Sequence, residues 1–191
     1  MEKNKVLYGI EKVHIAPLKE VDGVITYEKP FAMPGATGFS PEPQGETTKF
    51  FADNTVFFIA NSNQGYEGEL VLAITPEEFL TKILGQTKDA NGAVIENADD
   101  KQARFALMFE GKGDAMGRRW VYWDCSASRP SRENNTKEES IEVGTESIPI
   151  TISPRSTDRA VKCYIEPNED NQAIYDTFFT NVYEKDATAS V

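Results

Sequence analysis

The clearest pattern of apolar and polar positions lies in residues 47–85, TTKFFADNTVFFIANSNQGYEGELVLAITPEEFLTKILG. Between 69 and 74 the large residues Leu70, Leu72 and Ile74 alternate, the two-residue period of a strand with one buried face. The run 56–60, Val-Phe-Phe-Ile-Ala, is apolar on both faces and too short for a helix, which predicts a strand in the middle of a packed sheet. Asn61-Ser62-Asn63-Gln64-Gly65 between the two runs is turn chemistry, so the pair reads as a hairpin. A helix should follow. Thr75 is placed to cap it, Pro76 suits its first turn, and Glu78 three residues after Thr75 completes a capping box. Lys82 favours the negative C-terminal end and Gly85 supplies the residue that ends it. Phe79, Leu80, Ile83 and Leu84 share one face, a stripe that fits core packing on a sheet better than a ligand pocket.

Strand periods recur on both sides of this unit. Residues 5–16 read as a first strand interrupted at Gly9, and Asp22-Gly23 is a turn leading to a second strand at 24–27. Pro30, Pro34, Pro41 and Pro43 should break any long element between 30 and 44, leaving short extended pieces such as 36–40. A small hairpin is expected between 86–88 and 93–95, strands at 104–110 and 119–125, and an edge or irregular strand at 146–152, where Ile148, Ile150 and Ile152 alternate around Pro149. Val161, Cys163 and Ile165 repeat the alternation, and residues 168–183 carry Ile174, Tyr175, Phe178, Phe179, Val182 and Tyr183 at helical spacing. Roughly eight to ten strands and two helices predict a mainly β fold, a two-sheet sandwich or flattened barrel. The helices should be the capped one after the central hairpin and a second near the C-terminus. One domain is expected over 1–191, with a long polar loop at about 128–147 and a frayed tail at 184–191.

Composition narrows the function classes. With 39% hydrophobic residues, the 191-residue chain can bury a sizeable core. It has no apolar run near the about 20 residues of a membrane helix, and MEKNKVLYGIEK lacks the apolar segment of a secretion signal, so a cytoplasmic start is expected. Lys and Arg total 20 against 31 Asp and Glu; a net charge of −11 opposes direct adhesion to nucleic acid or to anionic membrane.

Candidate chemistry is sparse, and no catalytic, cofactor or metal residue is assigned. His14 is the sole histidine and alternates with Val13 and Ile15, as an outward strand residue would. Cys125 and Cys163 are too few for a disulfide framework and read as free thiols in strands. Asp89-Ala90-Asn91-Gly92 invites comparison with a calcium loop, but with Gly92 as the loop glycine the end positions are Thr87 and Ala98 and carry no carboxylate. Gly111, Gly113 and Gly117 lack the GK[ST] ending of a phosphate loop. Paired acids such as Asp99-Asp100 and Glu138-Glu139 lie in polar stretches, where solvated faces are the ordinary explanation. One alternative function is a β-sandwich carbohydrate-binding module with a platform of Trp120, Tyr122, Trp123 and Tyr66, although their alternation within strands fits core and interface better.

The order of segments adds a resemblance. FFADN, NQGYEGEL and ITPEEF, together with the N-terminal YGIEKVHIAPL and the later CSASRPS and TKEESIE, resemble the major tail proteins of long, non-contractile-tailed phages of Gram-positive bacteria over nearly the whole chain. The resemblance implies the phage tail-tube fold and a structural, non-enzymatic virion protein assembled in the host cytoplasm. It implies hexameric rings stacked around a tape-measure protein, with a distal tail protein and a tail terminator as further partners, and DNA passing through the lumen without specific binding. In such a tube Arg132, Lys137, Glu138, Glu139 and Glu142 of the polar loop are the expected ring-to-ring contacts. Arg118 and Arg119 are the expected basic residues at subunit contacts, and lumen-facing strand residues are expected to be net acidic.

Overall fold

Alternation decides most of the architecture, because nearly every strand with a two-residue period buries its apolar face against another such strand. The computed structural model describes residues 8–132 and 144–185. Readings that fall elsewhere, among them Lys137, Glu138, Glu139 and Glu142, lie outside the described residues. The first strands are β1 (Glu11–Val21), β2 (Val24–Tyr27), β3 (Phe31–Ala32), β4 (Ala36–Gln44), β5 (Thr47–Ala52), β6 (Thr55–Asn61) and β7 (Gly65–Leu72). Helix α1 (Glu77–Lys82) follows, then β8 (Thr87–Lys88), β9 (Val94–Ile95), β10 (Phe105–Glu110), β11 (Arg119–Ala127), β12 (Ser131–Arg132), β13 (Glu146–Ile152), β14 (Lys162–Ile165) and α2 (Gln172–Asp176).

The main sheet runs β2-β1-β10-β11-β13-β7-β4, with β3 on β1, β14 on β11 and β12 on β13. It folds over on itself. Phe39 of β4 meets Phe109 of β10 and Tyr122 of β11 edge-on, each with ring centroids 5.6 Å apart, so the β13-β7-β4 half faces the β1-β10-β11 half as in a sandwich. Between them lie Val13, Ile15, Leu70, Leu72, Phe105, Leu107, Ile148, Ile150 and Ile152, and α1 adds Phe79 with Ile83 and Leu84 just beyond it. The other face of β1-β10-β11 carries Ala16, Ala106, Met108, Val121 and Trp123, covered by Phe178, Phe179, Val182 and Tyr183 of the C-terminal segment. The main layers are therefore the C-terminal segment, one sheet half, the core and the other sheet half.

Several expectations change in detail. β4 extends over nine residues and includes Pro41 and Pro43. It tolerates them because it is an edge strand: both prolines have the same parity and turn their missing donors away from β7. Gly68 faces Pro41, and a Cβ there would stand 2.4 Å from the Ser40 carbonyl oxygen, so the close pairing of β4 and β7 needs glycine. β13, read as an edge or irregular strand, is internal. It pairs with β7 along its whole length, and Pro149 sits between the β12 and β11 pairings, where only its carbonyl is engaged, by Ser128 N–H at 2.9 Å. The second helix shrinks to α2, five residues. The aromatic stripe beyond it still covers the sheet, through turns rather than helix. The beginning of the expected frayed tail is held, since Glu184 pairs with Arg155 at 2.6 Å and Lys185 with Asp158 at 2.8 Å.

The capping box is also corrected. Pro76 occupies the N-cap position of α1 and no side chain caps the helix. Glu78 turns outward to Lys82 four residues on, at 2.5 Å, and Thr75 gives its backbone N–H to Glu146 Oε2 at 2.8 Å. The Thr75 hydroxyl is buried without a hydrogen-bond partner of normal geometry among the described residues. The other end of α1 matches the sequence reading, with Gly85 at φ +78°.

Candidate assembly surfaces

Strands β5 and β6 leave the body as a two-stranded ribbon of their own, continuing the β4–β7 pair outward. Asp53 and Asn54 form its tip with φ of 51° and 61°, the two left-handed residues of a tight hairpin turn. Its base is tied by Ser62 N–H to Glu46 O and Gln64 N–H to Gln44 O, both 2.9 Å. The 56–60 run is therefore not the middle of a packed sheet. It pairs with β5 alone, and Phe50, Phe51, Val56, Phe57, Phe58 and Ile59 are 44–73% exposed. Pairing opposes Phe50 to Phe58, and Lys49 to Ile59 with Phe51 to Val56 on the other face; the register shifts between those pairs at Phe57, whose ring meets Phe50 edge-on at 6.5 Å. The sequence does carry a signal for this arm: FFADNTVFF is two apolar runs flanking an Asp-Asn turn.

The outward face of β4-β7-β13 is bare and acidic. Its strand positions include Ser40, Glu42 and Gln44, Glu67 and Glu69, and Ser147 and Thr151, and no Lys or Arg occupies that face among the described residues. Glu42 lies directly opposite Glu67, and Glu69 accepts a hydrogen bond from Ser147 Oγ at 2.8 Å. The inward positions of the same strands, Leu70, Leu72, Ile148 and Ile150, are core.

The basic residues singled out in the sequence are engaged within the chain. Arg119 donates through Nε to Glu110 at 2.8 Å, lies 3.7 Å over the Tyr175 ring and also covers Phe179, with its side chain 12% exposed. Arg118 donates to Glu166 at 2.7 Å, which keeps its guanidinium charged. Arg119 fastens the C-terminal segment to the sheet and Arg118 holds the end of β14, so both basic residues expected at subunit contacts also have acid and aromatic partners within the chain. Arg132, at the start of the polar loop, donates through Nε to Glu146 at 2.6 Å. Burial would raise the Glu146 carboxyl, but the Thr75 and Arg132 groups around it outweigh burial and hold it low.

The suggested aromatic platform does not form. Trp123 faces the C-terminal layer and donates Nε1–H to Tyr183 O at 2.8 Å, while Tyr122 lies in the opposite core with Tyr66 edge-on at 5.9 Å. Burial pushes the Tyr122 hydroxyl up to about 12 and the Cys163 thiol up to about 11. Cys125 and Cys163 are free.

Solved structures with a likeness to this chain share little of its sequence. One solved structure covering 87% of this chain and 97% of its own is an anti-feeding prophage tube-terminating cap (14% identity, TM-score 0.46). Another, from the sheath–tube complex of an extracellular contractile injection system in its extended state, covers 85% of this chain and 94% of its own (8% identity, TM-score 0.45). No curated protein sequence matches. The family model described as phage tail tube protein matches residues 1–188, nearly the entire sequence, and the chain belongs to that family.

Proposed function

We propose that copies of this chain assemble into rings of six that stack into the tail tube of a siphophage, through which DNA is delivered. The observation that carries this reading is the β5–β6 arm. Six large apolar side chains on an isolated ribbon have no partner surface among the described residues, and an exposed apolar patch of this kind marks an interaction surface. A two-stranded hairpin is marginal alone in water, so the arm gains most of its stability from what it contacts.

The remaining surfaces fit the same assembly. The bare acidic face of β4-β7-β13 supplies the lumen wall, where Glu42, Glu67 and Glu69 repel a passing polyanion. The loop with Arg132, Lys137, Glu138, Glu139 and Glu142 supplies contacts between rings. The resemblance adds a tape-measure protein inside, a distal tail protein and a tail terminator at the ends, and assembly in the bacterial cytoplasm. The protein performs no catalysis in this role. The carbohydrate-binding alternative is weakened because Trp123 lies on the opposite side of the sheet from Tyr122 and Tyr66, and Tyr122 is buried in the core.

Negative-stain microscopy with sedimentation tests the reading. Rings, and tubes at higher concentration, are expected. Monomer at every accessible concentration, with no tubes in particles, would overturn it.

A further inference from the structure

Beyond assembly, and independently of it, we infer that residues 186–191 add a strand to the free edge of β2 in the same chain. The strand path of the main sheet ends on β4 and on β2, and β4 is blunted. Pro41 and Pro43 leave its outer side short of donors, which discourages further pairing. β2 has no such protection: Val24-Ile25-Thr26-Tyr27 carries no proline and no charge and favours strand throughout. Its register shows which groups are open. Asp22-Gly23 make a two-residue turn, so Val21 and Val24 are the hydrogen-bonded closing pair, and every second residue of β2 points its N–H and C=O at β1. Glu28 keeps that parity, giving its N–H to Pro17 O at 2.9 Å. Ile25 and Tyr27 therefore turn theirs outward, and these groups have no backbone partner among the described residues.

A groove of about 740 Å³ lies beside this edge, lined by Ile25 and Tyr27 and, from the C-terminal segment, by Asn181, Val182 and Glu184. The chain reaches that groove on its way out. Glu184 is held by Arg155 at 2.6 Å and Lys185 by Asp158 at 2.8 Å, so residue 186 starts beside the edge with almost no loop to close. Tethering of this kind gives the tail a local concentration that a separate segment lacks. Six residues span about 20 Å when extended, against about 13 Å for the four of β2. Asp186-Ala187-Thr188-Ala189-Ser190-Val191 has no large side chain, which suits a groove bounded by Tyr27 and Val182, and Thr188 and Val191 favour strand. Asp186 is its only charged side chain, and Lys29 of the same groove makes no ion pair among the described residues.

Amide hydrogen exchange tests this on the full chain in dilute solution, with sedimentation alongside to identify the monomer. The N–H groups of Ile25 and Tyr27 should exchange at least about tenfold more slowly than in a chain shortened to end at Lys185. Those of Val24 and Thr26, bonded to β1, should exchange alike in both. The shortened chain keeps the Glu184 and Lys185 pairs. Should it fail to fold, Ala187→Pro with Thr188→Pro in the full chain removes one donor of each parity, breaks the added strand in either register and should release Ile25 and Tyr27 by the same factor. Equal exchange of Ile25 and Tyr27 in the full and altered chains would overturn the inference. Protection that appears only at concentrations where copies associate would overturn it in favour of a second copy at this edge. A monomer suffices for the measurement, so its outcome is separate from whether tubes form.

Discussion

Glu146 accepts the backbone N–H of Thr75 at 2.8 Å across 71 residues of sequence, and its other oxygen takes the Arg132 guanidinium at the root of the polar loop. One buried carboxylate thus fixes the entry to α1, the start of β13 and the exit of β12. Removing it leaves a buried N–H unpaired. Glu146→Ala is expected to cost about 1.5 to 3 kcal/mol, the usual range for hydrogen bonds to a charged group, read as a lower urea midpoint at unchanged slope.

Thr75 itself should behave unlike a cap. Its hydroxyl is buried without a hydrogen bond of normal geometry among the described residues, yet it stands among the groups that hold the Glu146 carboxyl low, so Thr75→Val sets the relief of an unsatisfied polar atom against a weak contact with that carboxylate. The two nearly cancel, and the expected change is about 0.5 kcal/mol or less in either direction. A loss of about 1 kcal/mol, as for a capping threonine, would show that the hydroxyl is engaged after all.

Acid sensitivity should concentrate at the C-terminal layer. The Arg155 guanidinium, paired with Asp158 at 2.7 Å and lying 4.8 Å over the Trp123 ring, holds the Asp158 carboxyl well below the usual carboxylate range. A carboxyl whose pKa is lower in the folded chain contributes stability that is fully present above its unfolded value of 3.8 and is lost as pH falls through its folded value. Glu146 acts in the same direction from an unfolded value of 4.5. Unfolding free energy should therefore fall steadily below about pH 4, and Asp158→Asn should flatten that fall while costing about 2 kcal/mol at neutral pH. An unchanged acid profile in the variant would assign the acid loss to other groups.

Shortening the polar loop within residues 134–142 keeps the Arg132–Glu146 pair and should leave the unfolding midpoint within about 0.5 kcal/mol of the parent. If the loop bridges rings, the variant forms single rings that no longer stack. Tubes of normal length from the shortened chain would show that stacking relies on other surfaces.

The sequence is most legible where a single chain satisfies its own pattern. Leu70 and Leu72, or Ile148 to Ile152, alternate because their partners lie in the same core, and period alone places them correctly. Residues 56–60 carry the same apolar content for a different reason. A strand buried on both faces by its own sheet and an arm projecting from the body have the same composition, and only the topology tells them apart. Phe178 and Phe179 show a second limit: helical spacing put them on one face, and tight turns after α2 achieve the same burial. At Thr75 the local cap motif lost to a carboxylate 71 residues away, which no window around the helix contains.

If the proposed tube forms, the bare face of β4-β7-β13 leads to the prediction that bears most directly on DNA passage. Glu42 and Glu67 face each other across β4 and β7, with Glu69 two residues on, and neither strand offers a cation on that side. Six copies would bring −66 formal charges to a ring, from −11 each, but only those facing the lumen act on the duplex. At about 0.15 M salt their repulsion reaches about 8 Å, enough to keep the duplex off the wall without barring the channel. Basic residues there would do the opposite, since each phosphate neutralised releases a counterion and makes contact favourable. Because these side chains lie outside the core, Glu42→Lys with Glu67→Lys should leave folding and tube assembly intact. DNA release from particles carrying the variant should slow or stall, the defect easing as salt is raised. Release at the normal rate would refute a lumen role for this face, as would an assembled tube whose inner wall is neutral or positive.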